Sequence, residues 1–191
     1  MRKGYTMTYQ MRKKQRQQRE TIIQYILKFA GVVLLAFLIV RFVCFSFTIQ
    51  GDSMSPSIQK GEKHLVNRLI YQIKGPSRYD VIVFKSDDKT GNYYVKRVIG
   101  LPGETVEIKD GKVYIDGSET ALDDSFIPEK MQGSFGPYTV PDNCYFMLGD
   151  NRNDSKDSRF WKNTFVRFDQ IVGKAVVRYY PSIKLLGYEE P

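Results

Sequence analysis

Histidine is almost absent from this chain: there is one, His64, in 191 residues. A single imidazole excludes a histidine-rich metal centre and leaves one candidate for any serine–histidine pair. Cysteine is nearly as scarce. Cys44 and Cys144 stand a hundred residues apart, which is neither a disulfide framework nor a metal-ligand spacing, so two unrelated buried thiols are expected. Beyond residue 41 no stretch carries a long helical period, and there is no internal repeat or low-complexity tract. The main body also lacks a charge excess. Of 29 Lys/Arg and 21 Asp/Glu, nine bases and one acid lie in residues 1–41, leaving 20 of each for residues 42–191. The formal charge of +8 therefore belongs to the N-terminal segment. A nucleic-acid surface needs basic residues clustered on the folded domain, so no nucleic-acid partner is expected.

The N-terminal segment carries the first positive signal. Residues 1–20, "MRKGYTMTYQMRKKQRQQRE", are basic and polar without apolar periodicity and read as a solvated tail. Residues 21–41 follow as an apolar stretch, and Ile22 to Val40 supplies the roughly 20 residues that a bilayer core requires. Lys28 and Arg41 sit where long side chains can snorkel toward headgroups. A cleaved leader needs a small-residue site after the apolar run, and "RFVCFSFTIQGD" has none. A membrane anchor fits best. Seven Lys/Arg precede the span, so the positive-inside bias puts the tail in the cytoplasm and residues 42–191 outside.

The outer region reads as β. Short runs such as "CFSFTIQ", "HLVNRLI", "DVIVFK", "NYYVKRVIG", "CYFMLGD" and "QIVGKAVVRYY" are separated by Gly, Pro and Asp turn signals. "VEIKDGKVYI" is the strongest of them, since Asp-Gly between two alternating runs is a hairpin signature. The expected fold is mainly β, an antiparallel barrel or sandwich-like domain behind one transmembrane helix. Residues 117–140 look like an excursion between strands.

Three segments hold chemistry. In "IQGDSMSPS", Gly51 permits unusual backbone conformations and Pro56 fixes the far side, so Ser53 sits in a tight turn that can hold its hydroxyl exposed; taken alone, the loop reads rather as an ordinary Ser/Pro turn. A serine nucleophile needs a base. His64 is one candidate, although a lone histidine among charges entering a strand is more often a surface or cross-strand residue. Lys96, in "YYVKRVIGLPGE", is the other. Strand geometry puts it on the face of Tyr94 and Val98, where loss of hydration lowers an amine's pKa, or it faces water. "LGDNRNDSKDSRFW" packs acids, bases and hydroxyls after an apolar strand, either as a self-paired loop or as support for such a base.

"GDSMSPS", "RYDVIVF", "YYVKRVIGLPGE" and "GDNRNDSKDSR", in this order behind a basic tail and one span, resemble the bacterial type I signal peptidases, and the single span resembles the Gram-positive members. The resemblance covers nearly the whole chain. It implies a membrane-bound serine endopeptidase that removes signal peptides from exported preproteins, with Ser53 as nucleophile and Lys96 as general base. It implies that the Ser155 hydroxyl holds the lysine, that Asp150, Asp157 and Arg159 form a supporting network beside Arg97, and that Met54 and Pro56 flank the nucleophile. No metal or organic cofactor is implied. The implied partners are signal-peptide-bearing preproteins, the lipid bilayer and, as a further candidate, the secretory translocon. Small residues are implied at the first and third positions before the cut, and Phe45 and Phe47 suit an apolar surface resting on the membrane. Three positions depart from the pattern: Gly51, where some members carry a serine that aids the oxyanion hole; Glu104, with little consequence expected; and Lys162, where glycine is common. The alternative from another class is an inactive homologue that only binds secretory precursors.

Overall fold

Apolar side chains on both faces mark the strands at the centre of this molecule. In "VIVFK", Val81 and Val83 join a core cluster with Ile49, Met54, Ile58, Val66, Val95 and Ala175, while Ile82 and Phe84 join another with Val98, Tyr145, Met147 and Val166. Successive strand side chains point to opposite faces, so a run with no polar alternation is a strand buried on both sides.

A computed structural model describes residues 2–72, 74–87 and 91–186, with the side chains of those residues apart from 2–13 and 39–42. The chain divides into two compact units, Met1–Phe42 and Val43–Pro191. The first is helical: α1 runs from Arg2 to Val43. The basic residues read as a solvated tail thus continue the helix, because Arg, Lys and Gln are good helix formers, and Arg16 pairs with Glu20 one turn on at 3.0 Å. Between Lys14 and Leu38 the helix is long and apolar enough to cross a bilayer, an 18-residue run within it averaging a hydropathy of 2.0. The Arg41 side chain, expected to snorkel, lies outside the described residues.

The second unit is antiparallel β. Its strands are β1 (Cys44–Thr48), β2 (Lys63–Asn67), β3 (Val81–Lys85), β4 (Tyr93–Gly100), β5 (Thr105–Lys109), β6 (Lys112–Ile115), β7 (Phe135–Thr139), β8 (Cys144–Leu148), β9 (Val166–Arg167), β10 (Ile171–Tyr180) and β11 (Lys184–Leu185). One sheet has the order β1-β2-β10-β3-β4-β8-β9, with β11 beside β10, and a smaller one has the order β6-β5-β7. The large sheet's path has two ends, which favours the sandwich-like description over a closed barrel. Ile99 of β4 and Phe146 and Leu148 of β8 pack with Val106, Ile108 and Val113 of the small sheet, which ties the two sheets together.

The β5–β6 hairpin forms where Asp-Gly was expected. Asp110 and Gly111 both take positive φ, 50° and 78°, as the tight two-residue turn requires. A Cβ on Gly111 would collide with the Met131 carbonyl. β7 is the element hidden inside the expected excursion; Gly136 and Pro137 disguise it, and it pairs with β5 on the edge of the small sheet, where a proline is tolerated. Cys44 and Cys144 are free and half-buried rather than buried. Phe45 and Phe47 are likewise half-buried and pack partly against the first core cluster.

Candidate active site

The loop that carries Ser53 is pinned on both sides of that residue. Before it, the Ile49 N–H donates to Glu62 O at 3.0 Å and the Gly61 N–H donates to Ile49 O at 2.9 Å. After it, Met54 and Ile58 are each 1% exposed, and the Ile58 N–H donates to Met54 O at 2.9 Å. Ser53 stays half-buried between these anchors. Gly51 plays a different part from the one expected. Its φ lies outside the left-handed region, and a Cβ there would meet none of the described residues within 4 Å. The loop does not demand a glycine at that position.

Lys96 faces inward. It stands opposite Ile82 in the β3–β4 register, on the face of Val98, and is 2% exposed. Its Nζ donates to Ser53 Oγ at 2.5 Å. Burial pushes the amine from 10.5 down to about 8; Asp157 and Asp150 work against that shift, and Arg159 adds to it. His64 is a cross-strand residue, opposite Phe47 and Arg178, but it is only 1% exposed. Its Nε2 bonds Glu62 Oε2 at 3.0 Å, and Arg178 Nη1 donates to the other Glu62 oxygen at 2.6 Å. Burial holds the imidazole below its ordinary pKa. The structure therefore pairs Ser53 with the amine and engages the imidazole elsewhere.

The segment after β8 encloses the pair. Arg97 grips Asp150 with Nε and Nη2, at 2.7 and 2.5 Å, and donates Nη1 to Tyr79 O at 2.9 Å. Asp157 accepts two bonds from Arg159, both 2.8 Å, and the Gly149 N–H at 3.0 Å. All four charged groups are at least nine-tenths buried, where an ion pair persists only if its remaining polar atoms are satisfied. Gly149 is packed so closely that a Cβ would collide with Ser155 Oγ and the Ser53 carbonyl. The Ser155 hydroxyl is buried and makes no hydrogen bond to any of the described residues. Asn151, which no sequence motif singles out, ties the two loops: its N–H donates to Ser53 O at 3.1 Å and its Nδ2 to Asp52 O at 3.2 Å. Arg152 is a second residue without a sequence-predicted role. Its importance rests on a partner 28 residues away, Asp124, for which the local sequence carries no signal. Glu104 does more than expected, receiving two bonds from Arg78, at 2.5 and 3.0 Å, and the Leu101 N–H at 2.7 Å.

Ser53 and Lys96 open into a cleft of about 670 Å³ whose walls include Phe47, Ile49, Tyr93 and Trp161, with exposed Lys156 and Lys162 also lining it. β8 joins β4 only from Arg97 onward, so the cleft follows the earlier part of that strand. Among the described residues no group of three His, Cys, Asp or Glu is placed to hold a metal ion.

A buried amine on a serine hydroxyl, in an open cleft of a β domain, is the arrangement that a serine hydrolase with a lysine base requires. The chain belongs to the family described as signal peptidase, peptidase S26, which matches residues 22–180. It is 37% identical over 154 residues to the probable signal peptidase I-2 of Synechocystis sp., covering 78% of this chain and 69% of that protein. It is 36% identical over 174 residues to signal peptidase I S of Bacillus subtilis, covering 85% and 91% respectively. A crystal structure of a signal peptidase I from Enterococcus faecalis matches with 36% identity and a TM-score of 0.47, covering 54% of this chain and 98% of that one.

Proposed function

We propose that this chain is a membrane-bound serine endopeptidase that cleaves N-terminal signal peptides from exported preproteins, with Ser53 as nucleophile and Lys96 as general base. The 2.5 Å bond between a buried amine and the serine hydroxyl carries the reading. With its pKa near 8, Lys96 is unprotonated in a useful fraction of molecules at neutral pH, as a base must be.

The cleavage region lies extended along the cleft and pairs through its backbone. Lys96 Nζ takes the hydroxyl proton as Ser53 Oγ attacks the carbonyl carbon after a small residue. The tetrahedral oxyanion collapses, the C–N bond breaks, and the proton on Lys96 passes to the leaving amine of the mature protein. The signal peptide is left as an ester on Ser53. Lys96 then takes a proton from water, the hydroxide attacks the ester, and Ser53 leaves with that proton. The Ser53 N–H, which donates to no backbone carbonyl among the described residues, serves as one oxyanion donor; losing such a donor costs about 3 kcal/mol in the barrier. Asp150, Asp157 and Arg159 hold the enclosing loop in place.

The apolar stretch of α1 anchors the protein in the bilayer as a single span, with the basic tail in the cytoplasm and the β domain outside. Anchoring confines enzyme and signal peptide to one plane. The reading is tested by incubating the detergent-solubilised protein with a preprotein bearing an A-x-A site and sequencing the new N-terminus. Cleavage after the second alanine, absent in Ser53→Ala, is expected. No cleavage by the folded protein sinks the reading in favour of a binding-only homologue.

A further inference from the structure

The segment between β6 and β7 adds no strand to either sheet, yet it is fastened to the loop after β8 at two places and to Arg97 of β4 at a third. Arg152, 2% exposed, donates Nη1 and Nη2 to the two Asp124 oxygens at 2.5 and 2.9 Å, and Nε to the Gly149 carbonyl at 3.1 Å. Asn153 donates to Lys130 O at 3.1 Å and accepts the Gln132 N–H at 2.9 Å. Phe126 lies against the Arg97 guanidinium at 4.7 Å and edge-on to Tyr79 at 5.8 Å, so it touches the arginine that grips Asp150 and the residue whose carbonyl that arginine holds.

The first of these fastenings ends on Gly149, the residue wedged against the Ser53 carbonyl and Ser155 Oγ. Side chains hold both of its polar atoms, Asp157 on the N–H and Arg152 on the carbonyl. Arg152 can be buried there only because Asp124 supplies the opposite charge in a two-pronged contact. Nothing else among the described residues offers that guanidinium a carboxylate.

We propose that Asp124 is a positioning residue for the Ser53–Lys96 pair: by neutralising and aiming Arg152 it fixes Gly149, and the segment carrying Asp124 and Phe126 is a brace on the loop that encloses the lysine. This rests on the peptidase reading above. Asp124 touches neither the serine nor the lysine. Its influence passes through Arg152 to the loop bearing Asp150, Asp157 and Arg159, the charged groups that act on the Lys96 amine.

The test uses the full chain in detergent and follows preprotein cleavage by Asp124→Asn, with Glu119→Gln as a control that removes the same charge from an exposed site on the same segment. Asp124→Asn is expected to lower kcat about tenfold or more, the scale of one lost bond to a charged group, with KM unchanged within about twofold. The pH midpoint of kcat/KM is expected to rise, because a loosened loop admits water to Lys96. The double variant Asp124→Asn/Arg152→Gln is expected to recover part of the kcat, since removing both charges leaves no unpaired ion. Wild-type kcat and midpoint in Asp124→Asn, or a loss matched by Glu119→Gln, overturns the proposal. If Asp124→Asn is recovered unfolded, Phe126→Leu decides: a severalfold drop in kcat supports the brace and wild-type kcat refutes it. An active wild type with an unaffected Asp124→Asn removes the brace alone, whereas an inert wild type removes the peptidase reading with it.

Discussion

Raising the pH should switch this enzyme on through the titration of one buried amine. An exposed lysine titrates at 10.5, and burial opposite Ile82 moves Lys96 to about 8. That shift corresponds to about 3 kcal/mol of disfavoured charge. The free-amine fraction then rises from roughly 1% near pH 6 to roughly 90% near pH 9, whereas an unshifted lysine would reach only roughly 3% at that point. The assay is kcat/KM for a peptide carrying an A-x-A site, measured across this range in detergent. Below pH 8 the rate should climb about tenfold per unit, then level off above it, and His64→Ala should leave the midpoint in place. A midpoint below about 6.5 that disappears in His64→Ala would assign the base to the imidazole. A rate still climbing tenfold per unit at about pH 10 would mean that Lys96 is not desolvated in solution.

Three further outcomes follow from the same geometry. Gly149→Ala forces a Cβ into Ser155 Oγ and the Ser53 carbonyl; it should cost about 1–3 kcal/mol in chemical denaturation and abolish most cleavage, because one of the displaced atoms is the backbone oxygen of Ser53 itself. Arg97→Ala leaves Asp150 buried without its partner, and denaturation should show a loss of about 3–5 kcal/mol. The folded state holds the Lys96 pKa below its unfolded value, so between about pH 8 and 10.5 the unfolded chain binds the extra proton. Stability should therefore rise with pH across that window, by up to about 3 kcal/mol relative to Lys96→Met, and a flat difference between the two proteins would contradict the burial.

The sequence was legible where chemistry is local. Asp110-Gly111 announces its hairpin, the uninterrupted "VIVF" run announces a strand buried on both faces, and the apolar stretch of α1 stands out by length alone. Strand alternation put Lys96 on the face of Val98, but whether that face was wet or dry depended on Ile82 and on the loop after β8, both remote in sequence. His64, legible as a surface or cross-strand residue, is cross-strand, but its burial was not legible: Glu62, just before β2, turns inward with it and is met there by Arg178 from β10. β7 was hidden by a Gly-Pro pair, and the two-residue strands β9 and β11 are too short to carry a pattern. Arg152 stood in plain view inside "GDNRNDSKDSR", yet its part depends on an aspartate in a segment that reads as a featureless excursion.

The most direct test of the Ser53–Lys96 account is intact-mass spectrometry of the protein quenched in acid during turnover of an A-x-A preprotein. The account predicts an adduct with the mass of the signal-peptide fragment, mapped to Ser53 and missing from Ser53→Ala and Lys96→Ala. An adduct on another residue, or one that persists in Lys96→Ala and is lost in His64→Ala, would contradict it.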